Sequence, residues 1–401
     1  MGLLAELKGK DKAGLFTSDD QFVTYSTGIL PLDYANGFWQ EVRDAKGNSK
    51  MVPMLGIRGG SFTGIMGNTG TGKTTLADQI GFSIVKSFED SLLFHIDAER
   101  TALKQRLIRI TGTNMDDERI ILKNQNTTIE DVLDMFNQIC ELKESGGDKY
   151  KYEIKDMSYD GKPFKVYIPT VFIIDSLPSF NSNSTEVDEL GTNMDPARAA
   201  KDLKRFYNNC LDRMLKYNIN MITINHILEN VETNKFKVPP KGMLMLGPSE
   251  VLPKGKATQF YSQNYFRISM IKSNMYDKSE VGFEGFKATV QIAKTKSNFI
   301  GSTIDIAFNK DIGFDPIYSL YEYADSIGII QGRNPYLYLT GLDTMKFSRK
   351  LFRTKFINES DFRNGVLTTL RPYFEALLGT KELTKEETIR YGDMLDDEWD
   401  K

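Results

Sequence analysis

Cysteine is scarce: the 401 residues contain two, Cys140 and Cys210. A disulfide framework is therefore excluded as the basis of the fold, and the composition fits a reducing compartment. Long apolar runs are missing as well, none approaching the ~20 residues that a membrane-spanning helix needs. The opening Met1-Gly2-Leu3-Leu4-Ala5-Glu6-Leu7-Lys8 is too short and too charged for a secretory signal, so a cytoplasmic, membrane-free protein is expected. There is no excess of positive charge: 51 Lys and Arg stand against 54 Asp and Glu, a formal net charge of −3. A surface coated in cations is thus excluded, and any nucleic-acid contact must come from local clusters. No internal repeat is visible.

What is present suffices for one substantial core and a smaller satellite, since 40% of the residues are hydrophobic. Residues 1–28 hold a short amphipathic helix candidate and the apolar island Ala13-Gly14-Leu15-Phe16, too small to fold alone. Residues 29–317 alternate β-type apolar runs with helical patterns, the mark of an α/β core with a mostly parallel sheet covered by helices. The strand candidates are 62–66, 92–96, 171–174 and 220–224, and each ends where a polar residue appears. Residues 149–170 alternate around Tyr159-Asp160-Gly161-Lys162-Pro163 and predict an inserted β-hairpin. Two stretches rich in Gly, Pro, Ser, Asn and Lys, 180–196 and 229–258, are long enough to be functional loops. Residues 318–401 read as a small α/β domain with an acidic tail, Asp393 to Asp400.

The chemistry is concentrated in Gly67-Asn68-Thr69-Gly70-Thr71-Gly72-Lys73-Thr74, which matches G-x-x-x-x-G-K-[ST] between a strand candidate and a helical run. Glycines let the backbone turn its N–H groups toward phosphate oxygens, and the following helix N-terminus adds partial positive charge. Lys73 can then reach the β and γ phosphates, Thr75 continues the cradle, and the Thr74 hydroxyl can ligate Mg²⁺. Asp175 closes the run 171–174 and can hold the water shell of the same ion. ATP and Mg²⁺ are the cofactors this pattern calls for.

The run His95-Ile96-Asp97-Ala98-Glu99 makes the chain resemble the RecA recombinase family, as does Tyr25-Ser26-Thr27-Gly28-Ile29-Leu30-Pro31-Leu32-Asp33, similar to that family's entry segment. The resemblance spans most of residues 25–335 and thins thereafter. It implies a RecA-type P-loop ATPase core, 29–317, with an N-terminal oligomerisation segment, 1–28. Glu99 would orient and deprotonate the attacking water. Ile224-Asn225-His226 resembles the family's γ-phosphate sensor with His in place of Gln, as in the phage UvsX-like branch. Lys294-Thr295-Lys296 resembles the K-x-K element by which one subunit reaches its neighbour's ATP. Related hexameric helicases tend to carry K-x-R there. The alignment slips by one residue after Glu99, and at the adenine-stacking position, where the family has Tyr, this chain offers Arg106, whose guanidinium can stack in its place. The chain departs from the family in the 39–58 and 149–170 insertions.

The resemblance further implies that both long loops line a filament axis and bind DNA. The second contains Lys235, Phe236, Lys237, Lys241, Met243, Met245, Lys254 and Lys256, mixing cations for phosphates with apolar groups that can wedge between bases. On the helix after the first loop, Arg198 and Arg205 lie seven apart and so share a face, flanked by Lys201 and Lys204. The function so implied is ATP-dependent pairing and strand exchange between single-stranded and homologous duplex DNA. The partners would be DNA, further copies of the chain in a helical filament, and single-strand-binding and mediator proteins; a phage-encoded chain would act in a bacterial host's cytoplasm. A ring-forming helicase or motor ATPase, or a DNA-independent ATP-binding switch, remains open at this point.

Overall fold

The computed structural model describes residues 22–379 and 381, apart from 45, 101, 114–116, 126, 156–157, 159–160, 181–195, 230–244, 248, 272–273 and 380; for 196–199 and 255–256 it describes the backbone alone. The amphipathic helix candidate, the first long loop, most of the second and the acidic tail lie outside the described residues.

The centre of the molecule is a nine-stranded sheet. In chain order its strands are β1 (Phe62–Gly67), β2 (Leu92–Asp97), β3 (Ile120–Lys123), β4 (Thr170–Asp175), β5 (Ile219–His226), β6 (Asn264–Ser269), β7 (Gly285–Lys294), β8 (Thr303–Asn309) and β9 (Gly313–Asp315). Their spatial order is β9-β8-β7-β6-β1-β5-β4-β2-β3. From β6 to β3 all neighbours are parallel, whereas β6, β7, β8 and β9 pair antiparallel. The four strand candidates read from the sequence are β1, β2, β4 and β5, each extended by one to three residues.

The central strand β4 is buried along its whole length and apolar from Val171 to Ile174 because helices cover both faces there, whereas β7 alternates buried and partly exposed residues. Along β4, Val171 and Ile173 join the cluster under α1 (Leu30–Asn36) and α2 (Lys73–Val85), while Phe172 and Ile174 face the opposite cluster. The latter is filled from α4 (Ile129–Gly146) and α5 (Pro196–Tyr217); α3 (Lys104–Thr111) sends Leu107 to the first. Phe172 is fully buried and stacks on Phe94 with centroids 4.8 Å apart. Truncating it to alanine would cost about 3–5 kcal/mol through lost transfer energy and the void left behind. Helix starts are set locally: Thr128 and Asp131 form a capping box on α4. Asp315 caps α8 (Pro316–Ser326) by accepting from the amides of Ile317 and Tyr318.

The 149–170 segment is a hairpin, pairing Lys151–Ile154 with Phe164–Tyr167. The other insertion forms a second hairpin, Phe38–Arg43 with Ser49–Met54. The two hairpins touch, since the Arg43 amide donates to the Ser158 carbonyl at 2.9 Å. At the C-terminal side, α8 and α10 (Ser360–Leu377) pack Tyr318, Leu320, Val366 and Phe374 into the same cluster as Ile65 and Leu76. A boundary at 317/318 therefore falls inside α8, with a shared hydrophobic core on both sides of it. No described helix is long and apolar enough to cross a membrane.

Candidate functional site

Parallel strands deliver their carboxyl ends to one edge of a sheet, so the residues ending β1, β5, β4 and β2 are brought side by side by register alone. His226 is level with Gly67, and Asp175 with Asp97. The glycine-rich loop runs from the end of β1 into α2. Gly72 sits at φ +90, and a Cβ there would meet the Phe314 ring at 2.9 Å. A Cβ on Gly67 would lie 2.3 Å from the Ile268 carbonyl. Both positions thus require glycine, one for backbone conformation and clearance, the other for clearance alone.

Lys73 is buried, and its ammonium donates to the Asn68 carbonyl within the loop at 2.8 Å. Burial pulls its pKa down, while the carboxylates of Asp175 and Glu99 oppose that shift. Thr71 also donates to the Asn68 carbonyl, at 2.9 Å. Thr74 Oγ1 donates to Asp175 Oδ2 at 2.5 Å, across 101 residues of sequence. Burial raises the Asp175 pKa against the Thr74 bond and the nearby His95. Two hard oxygen donors beside a buried lysine are a set that suits Mg²⁺ completed by phosphate and water. Glu99 lies just past β2. Its Oε1 accepts from Ser176 Oγ and is 3.1 Å from His226 Nε2. Asp97, which sequence reasoning left without a role, fixes this turn by accepting from the amides of Glu99 at 3.2 Å and Ala102 at 2.6 Å.

Thr75 is buried, and Arg106 on α3 donates to its hydroxyl at 3.4 Å. A neighbouring cavity of about 360 Å³ is lined by Gln79, Arg109, Ile312, Phe314 and Arg353, among others. Gln79 holds Phe314 through both its amide and its carbonyl, at 2.9 and 2.7 Å. These lining residues were missed in sequence because they come from segments more than 200 positions apart; only their polar and aromatic character was visible.

Of the remaining sequence-derived residues, Met245 and Lys254 pack beside this edge, while the others lie away from it or are not described. Lys294 is level with Tyr265, itself level with Gly64, so it lies roughly 10 Å back along the strands from Gly67. Its ammonium donates to the Gln259 and Phe260 carbonyls at the end of α6 (Gly255–Tyr261). Burial, with Lys296 nearby, lowers it to about 8. Lys296 is exposed. Lys201, Lys204 and Arg205 form an exposed patch on α5, where Arg198 is described as backbone only. Lys235, Phe236, Lys237, Lys241 and Met243 lie outside the described residues. Met245 packs against Met66, Ile227, Leu252 and Tyr265, and Lys256 is described as backbone within α6. Lys254 donates to the Phe180 carbonyl at 2.7 Å, and burial lowers its pKa to about 8.

No known family profile and no curated protein matches the chain.

Proposed function

We propose that the chain is an ATP-hydrolysing P-loop protein with a RecA-type core. In particular, it is proposed to act as a recombinase that assembles as a filament on single-stranded DNA and catalyses pairing and strand exchange with homologous duplex. The observation that carries this reading is the convergence of Lys73, Thr74, Asp175, Glu99 and His226 from α2 and three neighbouring parallel strands at one sheet edge. Bound ATP with Mg²⁺ would supply the phosphoanhydride and the charge that polarises it. Lys73 offers a positive charge to the transferred phosphate, while Thr74 and Asp175 offer oxygens to the metal. Glu99, held from two sides by Ser176 and His226, orients a water and takes its proton. His226 joins this pair to the chain that continues toward residues 230–244, so an event there can alter the placement of Glu99.

The cavity bordered by Gln79, Arg109 and Phe314 suits a nucleobase; Arg106, one turn before Arg109 on α3, bonds Thr75 instead of lining it. The exposed cations of α5 suit a phosphate backbone, the local cluster that an acidic protein needs. The test is ATP turnover with and without single-stranded DNA, combined with electron microscopy in a non-hydrolysable analogue and a strand-exchange assay. DNA-stimulated turnover, helical filaments and exchange are the expected results. Turnover indifferent to DNA, or closed rings that unwind forks without exchanging strands, would refute the reading.

A further inference from the structure

The two stretches that leave the carboxyl edge toward residues 181–195 and 230–244 are tied to each other, and both ties lead back to Glu99. On one side, Ser176 donates to Glu99, and a short turn follows in which the amides of Ser179 and Phe180 donate to the carbonyls of Ser176 and Leu177 at 3.1 and 3.2 Å. Phe180 is fully buried and packs edge-on against Phe206 of α5. On the other side, His226 contacts Glu99, and its neighbour Asn225 donates to the Pro253 carbonyl at 2.6 Å. Lys254, next along, donates to the Phe180 carbonyl at 2.7 Å. The contacts thus form a closed ring: Glu99, Ser176, Phe180, Lys254, Pro253, Asn225, His226 and Glu99 again. The returning stretch is braced separately by Arg267, which makes two bonds of 2.8 Å to Glu250 and a third to the Met245 carbonyl.

A lysine in a DNA-binding loop would ordinarily be taken as a phosphate contact. The geometry argues otherwise: Lys254 has φ +53, is partly buried, and spends a donor on a backbone carbonyl 74 residues away. We propose that Lys254 is a positioning residue, which yokes the chain before residue 181 to the chain after residue 244 and thereby holds both supports of Glu99 in one arrangement. This deepens the proposed function, because it assigns the part that carries DNA occupancy to hydrolysis. A charge that touches phosphate contributes to the salt dependence of binding; one that joins two protein segments does not.

The test uses the full chain with Lys254→Met, which keeps the aliphatic stem but loses the donor, and Lys254→Arg, which keeps a donor. Single-stranded DNA binding across a salt series should give Lys254→Met the wild-type slope of log affinity against log salt. At saturating DNA its stimulated turnover should fall roughly three- to tenfold, inside the roughly 2- to 30-fold span of coupling changes along such networks, and Lys254→Arg should recover most of it. A slope flattened by about 0.7 with stimulation intact would make Lys254 a phosphate contact and overturn the proposal. Unchanged slope and unchanged stimulation would overturn it too. Should the wild type show no DNA-dependent turnover, the functional reading fails, but the yoke is still judged by amide hydrogen exchange without DNA. Lys254→Met should speed exchange at residues 177–180 while β6 keeps its protection, and equal exchange at 177–180 would refute it.

Discussion

In the parallel half of the sheet, β1, β5, β4 and β2 run in one direction and finish on Gly67, His226, Asp175 and Asp97, all at the same edge. In the antiparallel half, β7 runs back beside β6, so its terminal Lys294 arrives toward the opposite edge. The first half can therefore build a site from strand ends within one chain. The second half cannot reach that site, and what it contributes nearby is the β8–β9 turn that sets Phe314 against Gly72. Strand direction, more than residue type, decides which cations take part in this chain's own chemistry.

That contrast is tested most severely by removing charges from each half. Lys73→Ala should lower ATP turnover by about 10²- to 10³-fold, since it deletes a preorganised cation at the transferred phosphate. Glu99→Gln should lose turnover on a similar scale yet still bind nucleotide, as measured with a fluorescent ATP analogue. Lys296→Ala, by contrast, should leave nucleotide binding by dilute chain at the wild-type level. Its turnover should fall only where copies assemble, and admixed Glu99→Gln chains should restore part of it, each site drawing the missing group from its neighbour. A turnover defect in dilute, unassembled Lys296→Ala would break the comparison.

The parallel half also carries a buried ion pair, His95 of β2 with Asp78 of α2 at 2.7 Å. Burial disfavours the imidazolium, but the Asp78 carboxylate more than offsets this and raises His95 from 6.5 to about 8. The folded value lies above the ordinary one, so the stabilisation is complete below pH 6.5 and is lost as pH rises through about 8. Its size is about 2 kcal/mol. Lys143 works in the opposite direction: burial lowers it from 10.5 to about 7, so its unfavourable contribution fades as pH rises above 7. Urea unfolding at pH 6 and pH 9 should therefore compare the wild type with His95→Phe/Asp78→Leu, whose difference cancels Lys143. An identical pH dependence in the two proteins would show that the pair is not ionised.

The smallest effect is expected at the exposed face of α5. Lys201→Ala with Arg205→Ala should flatten the salt dependence of single-stranded DNA binding by about 0.7 per lost contact, equally for all sequences. An unchanged slope would remove this face from the DNA path.

The glycine-rich loop, four of the buried strands and the place of Glu99 just past β2 were legible in the sequence because each is local: a glycine spacing, an apolar run, an acidic residue just beyond a strand. The 149–170 hairpin was legible for the same reason, through alternation around a turn, whereas the pairing of Phe38–Arg43 with Ser49–Met54 inside the 39–58 insertion was not read. Lys254 was not, since its composition and neighbours suggested a phosphate contact, and its bond to Phe180 exists only once β4 and β5 lie side by side. Nor was the His95–Asp78 pair, where a strand and the helix crossing it bury two ionisable groups that local pattern leaves unrelated. Lys294 shows the limit most plainly: its motif is readable, but the edge it occupies depends on the direction of β7. The sequence by itself determined four of the nine central strands and the position of the glycine-rich loop between β1 and α2, because those follow from short-range sterics and burial. Only the tertiary structure decided which strand ends share an edge and which cations are consumed by backbone carbonyls, because register and strand direction bring together residues that are distant along the chain.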